Sequence, residues 1–547
     1  MDVLRALQKA STGRKPGEVE KACQKENWEV GQNADLKLFA TGCAERAMDA
    51  ETLSVLSLNA YQVDNMVGIL KALLETASEI QHEYERCLTP VLSKLSKGIA
   101  AIPDELLALI FKHNAATYGR KQAIRLSHVS RRFRGVALSE HNLWTTLHSG
   151  ARKEELETFA LRSGQDTGLH IVVRNHPGLS VPKFFLDACL AVSHRWKSLD
   201  IEETSHDFVP PEVRSLMWDL KMDEGSHMHL PRLEELRIAS IQRNELGPRL
   251  GTQSPVHVRQ KFAWTSPRLR KLELENFSLF YTSAFASLIS YSYTFELEWD
   301  CDSRIKELHS FLAETSSIST LRLDFSNFIG LSEDEFHLPD IHCRSVTSLD
   351  LCFSEYTFGE RAEEFIAALT KALHVPNVQE LSLAVNFRYA DVVNLNNRGE
   401  NGTEHLERLS DSLLPANHTR SHLTMLTYKF GYEVSRRWAS MKPPVDFTGT
   451  FTIPLDRISN VTSLTVTTFT GVRFSREGSV SLVQSHLHRL HFRECNKLDG
   501  RVTVRSLKDV GVWEQIEELV LEDCASHKGK MVLDAVEKEE LGRLWDL

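Results

Sequence analysis

The sequence predicts a mixed α+β or α/β protein, with N-terminal helices followed by an irregular α/β solenoid of strands and returning helices. Three observations carry this reading. A seven-residue apolar period runs through residues 56–98, two apolar ladders of helical spacing follow within 99–148, and a strand-like pattern recurs from 150 to 547. At 547 residues the chain exceeds one ordinary domain. Its 42% hydrophobic and 25% charged residues are enough to build cores of normal size.

The N-terminal elements begin weakly. Residues 1–55 remain unassigned; they allow a short helix at the start, then a Gly/Pro break at Gly13 to Gly17. Residues 56–98 read as one long helix. Val63, Leu70, Ala77 and Tyr84 repeat every seven residues, and Met66, Leu73, Ile80 and Cys87 fill the position three further on. That is an a/d stripe of about four heptads, with Lys71, Glu75, Glu79 and Glu85 on other faces. Such a stripe either packs on the domain that follows or pairs with a helix of another chain. Ala77 and Tyr84 are mediocre seam residues, so homo-oligomerisation stays open.

Residues 99–148 form a compact helical hairpin. Pro103 suits the first turn of a helix, and Asp104 and Glu105 place negative charge at the positive end of its dipole. Leu106, Leu107, Ile110 and Phe111 then give an i, i+1, i+4, i+5 apolar face. Tyr118-Gly119 breaks the pattern. A second helix is expected from about Gln122, with Ile124, Leu126, Val129, Phe133, Val136 and Ala137 on its apolar side and Arg131, Arg132 and Arg134 as a cationic cluster. Leu143 and Trp144 close the segment. A unit this small rarely buries enough apolar surface to stand alone and needs a partner surface.

These blocks resemble an F-box. IPDELLALIF, IRLSHVSRRFRGVA and the closing Leu143-Trp144 follow that family's order of a Pro-led helix, a Val-Ser-basic helix and a terminal Leu-Trp. Phe133 stands where Trp is commoner, and the inter-helix loop is somewhat long. A long helix leading into the segment is similar to the large fungal F-box families. The resemblance implies a three-helix unit that docks on a Skp-family adaptor, and through it on a cullin–RING core. Carried over residue by residue, it implies adaptor contacts from Ile102, Pro103, Leu106, Leu107, Ile110, Phe111, Leu126, Val129, Phe133, Val136, Leu143 and Trp144. Pro103, Leu106, Leu107 and Ile110 form the first strip; Val129, Phe133 and Trp144 are the deeper anchors. Some of these must instead hold the hairpin together, and the sequence does not sort them.

Beyond residue 150 the pattern apolar, two polar, Leu, polar, apolar recurs around Leu199, Leu236, Leu272, Leu321, Leu349, Leu381, Leu426, Leu464, Leu490 and Leu519. Eight of the ten are fully polar-filled, with Met425 and Val520 spoiling the others, whereas composition alone would produce about one or two. The core L-x-x-L-x-L is similar to the strand segment of a leucine-rich repeat. Spacing is longer and less even than in a regular repeat, which leaves a non-repetitive α/β domain as the alternative. Cys495 and Cys524 stand three residues after their strand cores, residues 361–373 read as a helical return, and residues 247–260 and 386–417 read as long loops.

Composition and motifs then limit function. A net charge of −10 offers no general attraction to nucleic acid or an anionic membrane. None of the nine cysteines forms a C-x-x-C pair, and the odd count argues for reduced thiols. The start of the chain lacks the apolar core of a signal peptide, so the four N-x-[ST] tripeptides carry no weight and the expected compartment is cytoplasm, nucleus or both. No phosphate loop, H-E-x-x-H or G-x-S-x-G signature occurs. The histidines of SHMHL and SHLHRLH lack a completing ligand set and are expected on strand faces or loops; no cofactor is expected. The reading is therefore a non-catalytic substrate receptor of a ubiquitin ligase with an unknown protein target. An F-box interaction scaffold without a ubiquitination role is the alternative, and an enzyme ranks last.

Overall fold

The computed structural model describes residues 50–119, 121–175, 181–205, 228–242, 264–276, 285–297, 301–328, 336, 338–398, 402–415, 422–433, 449–476, 486–524 and 527–546. The readings made on residues 1–49, with Cys23 and Cys43, on His227, and on the loop 247–260 lie outside them. The chain divides into two compact units, residues 1–103 and residues 104–547.

The first unit contains one long helix, α1 (Ala50–Ala101), which extends beyond both ends of the expected 56–98 span. From Leu70 to Ser93 its side chains are exposed on every face. No helix among the described residues is long and apolar enough to cross a membrane.

The second unit opens with α2 (Asp104–Tyr118), α3 (Lys121–Ser127) and α4 (Arg131–Ser139). The single second helix expected over 122–137 is thus two. Ser130 causes the break: its backbone is extended (φ −157°, ψ 169°), and its hydroxyl accepts from the Phe133 amide at 3.1 Å, capping α4. Gly119, at φ 78°, turns the chain between α2 and α3 in a left-handed conformation that side chains disfavour.

Then comes the sheet. Its strands are β1 (Thr146–His148), β2 (Leu169–Asn175), β3 (Trp196–Ser205), β4 (Glu235–Gln242), β5 (Lys271–Glu275), β6 (Ser290–Glu296) and β7 (Thr320–Ser326). β8 (Ile341–His342) lies apart, and β9 (Ser348–Tyr356) continues the sheet. β10 (Leu373–His374) pairs with β8, while β11 (Glu380–Arg388) and β12 (Met425–Glu433) extend the main ladder. β13 (Thr450–Pro454) pairs with β15 (Gly471–Ser475); β14 (Ser463–Thr468), β16 (Arg489–Arg493), β17 (Glu518–Cys524) and β18 (His527–Leu533) complete the series. Leaving out the two small pairs, the fourteen strands pair strictly in chain order. Every junction is parallel except the last, β17 with β18.

Register explains the order. The repeat leucines pair one after another, from Leu199 with Leu236 and Leu272 through to Leu490 with Leu519. A second column runs beside it from Ile201 to Leu521. Alternate residues are buried along much of the ladder, as Tyr291, Tyr293 and Phe295 are in β6, so one face is apolar and a one-residue slip would expose it. Each buried leucine contributes about 1.5–3 kcal/mol. Above this floor lie the helices. Phe311 of α5 (Cys301–Glu314) packs 4.5 Å from Tyr291, and Phe365 of α6 (Glu360–Ala372) packs 5.6 Å from Phe325. The helical return expected over 361–373 is α6.

Several expectations are corrected. β6 escaped the repeat pattern because Tyr291 and Tyr293 occupy its two leucine positions, each 3% exposed. The loop expected over 386–417 holds α7 (Tyr389–Arg398) and α8 (Thr403–Leu413) instead. Val392 and Leu395, then Leu406, Leu409 and Leu413, fall at helical spacing and are buried, so the polar residues between them form outer faces and not a loop. The domain boundary expected at 148–150 is no break in packing, since β1 pairs with β2 across it. Cys495 and Cys524 each donate from Sγ to the preceding strand, at Val466 O (3.3 Å) and Phe492 O (3.5 Å). At the far end α9 (Ala535–Asp546) closes on β17, where Lys538 Nζ donates to the Trp513 and Ile516 carbonyls at 2.7 and 2.8 Å.

Candidate functional site

The apolar surface of α2 is divided between two sides of the helix. Leu107 and Phe111, four residues apart, are buried against α3 and α4, and the Phe111 ring lies 5.0 Å from Phe133. One residue over, the turn rotates the side chain by about 100°. Leu106, Leu109 and Ile110 therefore face away, with 51%, 57% and 50% of their surface exposed. The single face expected from 106, 107, 110 and 111 is two: one is core and the other is open.

Charge pairs hold this hairpin in shape. Asp104 accepts from Arg132 at 2.7 Å, tying the start of α2 to the start of α4. Arg134 Nε donates to the Ser127 carbonyl at 3.1 Å across the break. Lys112 and Glu140 meet at 3.0 Å. Val129 lies in the break itself, 63% exposed, beside residues that the Asp104–Arg132 pair brings to the start of α2.

The closing Leu143-Trp144 pair lies inside the chain. Trp144 is fully buried; its Nε1 donates to Ala137 O at 2.7 Å, Phe159 packs on its edge at 5.1 Å, and the Arg162 guanidinium stands 4.5 Å over its ring. Leu143 and Val136 are buried with it. Of the twelve residues implied as adaptor contacts, Leu107, Phe111, Val136, Leu143 and Trp144 are thus internal packing residues. Ile102, Leu126 and Phe133 are half-buried; Pro103, Leu106, Ile110 and Val129 are exposed. Leu109 completes the exposed strip and was missed, because it interrupts the i, i+1, i+4, i+5 rhythm and belongs only to the outer face.

A second polar surface lies along the outward side of the strands. Arg174 on β2 pairs with Asp200 and Glu202 on β3 at 2.8 and 3.1 Å. Arg237 on β4 reaches Asp200 at 3.0 Å and Glu275 on β5 at 3.4 Å. Burial raises the Glu275 carboxyl above its usual range, and Arg237 opposes the shift. Burial likewise raises Asp324, whose carboxylate accepts from the Ser354 hydroxyl at 3.0 Å. His491 lies on this face against Glu522 at 3.0 Å, and His229 meets the Thr265 hydroxyl at 2.8 Å. Among the described residues no group of three or more His, Cys, Asp or Glu side chains could hold a metal ion.

Residues 99–149 match the family model described as F-box-like. A search of curated proteins finds no match to the chain. The chain thus carries an F-box-like domain over the α2–α4 hairpin and its flanks, about a tenth of its length.

Proposed function

We propose that the chain is a substrate-recognition subunit of an SCF-type ubiquitin ligase. Its F-box docks a Skp-family adaptor, and the adaptor links it to the cullin–RING core. The observation that carries this is the exposed strip Leu106, Leu109 and Ile110 on the helix that opens the F-box-like segment. Three large apolar side chains held open on a rigid helix suit docking into an apolar groove. The buried set behind them keeps that helix in place. Residues 150–547, read as a leucine-rich-repeat-like solenoid, would then hold the protein target on the polar side of the ladder. In-register leucine columns and strictly sequential parallel pairing support that reading. The chain supplies no catalytic group; its rate effect is proximity, placing target lysines near the charged conjugating enzyme.

Hydrogen exchange of the full chain with and without a purified Skp-family adaptor tests the docking. Protection is expected at 104–112 and around Val129, with the amides of β5 to β12 unchanged. Adaptor-dependent protection confined to the sheet would contradict the assignment, and so would none anywhere.

A further inference from the structure

We propose that α1 is a self-association element, a coiled coil formed with a second copy of this chain. The proposal is independent of the adaptor reading. α1 runs for 52 residues. On it Leu70, Leu73, Ile80 and Tyr84 are 40%, 46%, 52% and 65% exposed, and Cys87 is exposed as well. These are successive a and d positions, and Val91 continues the a series at 50%. A straight α-helix drifts about 20° per heptad from a strict seven-residue repeat. An apolar stripe that keeps the repeat therefore matches a supercoiled partner helix better than a flat protein surface, and a second copy brings the same repeat in the same length. Leu74 and Leu88, both at e positions and both exposed, widen the seam on one side.

Polar pairs border the seam from its e and g positions. Arg86 pairs with Glu83 at 2.7 Å, and Gln81 donates to Glu85 at 3.2 Å. Lys71, Glu75, Glu79 and Glu85 keep charge at b, c and f positions, while the a, d and e positions of residues 70–92 carry none. α1 is not apolar enough to span a bilayer.

The area is sufficient. Residues 70–92 make a seam roughly 35 Å long, and covering half the circumference of a helix about 11 Å across buries on the order of 600 Å² per copy. A standard stable interface takes about 800 Å² per partner. The helix continues back to Ala50, and Val67, at the preceding e position and 42% exposed, carries the seam further.

Sedimentation equilibrium of the full chain at micromolar concentration tests this, beside two variants. Wild type is expected at twice the monomer mass, and Leu73→Glu with Ile80→Glu at the monomer mass with the β-sheet signal of its circular dichroism intact. Tyr84→Leu replaces a poor seam residue and is expected to tighten association about tenfold, a gain that no folding defect can mimic. A monomeric wild type would overturn the proposal, whatever else covers the stripe. A double variant as dimeric as wild type would overturn it too, by assigning association to another surface.

Discussion

Leu106 and Leu107 are neighbours in the chain, yet they face water and core respectively, and this difference can be measured. Leu107→Ala removes a side chain that is 2% exposed, so it should cost about 2–5 kcal/mol in a urea denaturation series. Leu106→Ala should leave the urea midpoint unchanged within about 0.5 kcal/mol and weaken adaptor binding about tenfold or more by calorimetry. Equal effects of the two on stability would contradict the assigned faces. The sequence marked both residues as apolar but did not separate them, because inside and outside on α2 are decided by where α4 packs. Histidine chemistry also belongs to this scale. Burial, aided by Lys197, holds His170 below its ordinary value of 6.5, and burial also lowers His491. The unfolded chain then binds more protons than the folded one just below pH 6.5, so the stability tied to neutral imidazole is complete above that value. It is lost as pH falls through the depressed folded values. His170→Gln should therefore flatten the decline in thermal midpoint between pH 7.5 and 5. An unchanged pH profile would mean that His170 is not kept neutral by the fold.

At the scale of elements, legibility followed periodicity. Ten strands stood out because leucine recurs at a fixed place in each. β6 did not, because tyrosines fill the same two columns. α7 and α8 were hidden by their polar faces, although Leu406, Leu409 and Leu413 are spaced as a helix requires. The Ser130 break looked like one continuous helix, since the apolar ladder crosses it without losing phase. The packing of α9 depends on one close approach: a Cβ at Gly542 would sit 2.9 Å from the Trp513 ring. Gly542→Val should lift α9 from its seat at a cost of about 1–3 kcal/mol. Limited proteolysis reads this directly, as faster loss of the last dozen residues with the remaining sheet resistant; unaltered resistance of the C-terminus would argue against that contact.

At the scale of the whole molecule, residues 104–149 of the F-box-like segment and the sheet are parts of one unit. Trp144 reaches Phe159, and β1 is the first rung of the ladder, so the hairpin caps the strands besides carrying the proposed docking strip. A fragment starting at residue 150 should accordingly melt several degrees below one starting at 104; equal melting would show that the cap adds nothing. The sequence separated these parts at residue 150 because helical and strand periods change there, but a change of period is not a gap in packing. Residues that would bind the proposed target were not legible either, since outward strand positions carry no period beyond polarity. The central claim is adaptor docking through the exposed strip, and its most direct test is a calorimetric titration of the full chain with a Skp-family adaptor, repeated with Leu106→Asp and Ile110→Asp combined. Saturable one-to-one binding by the native chain, weakened at least a hundredfold in the altered one with its melting temperature preserved, is the predicted result. No binding by the native chain, or equal binding by both, would contradict the account.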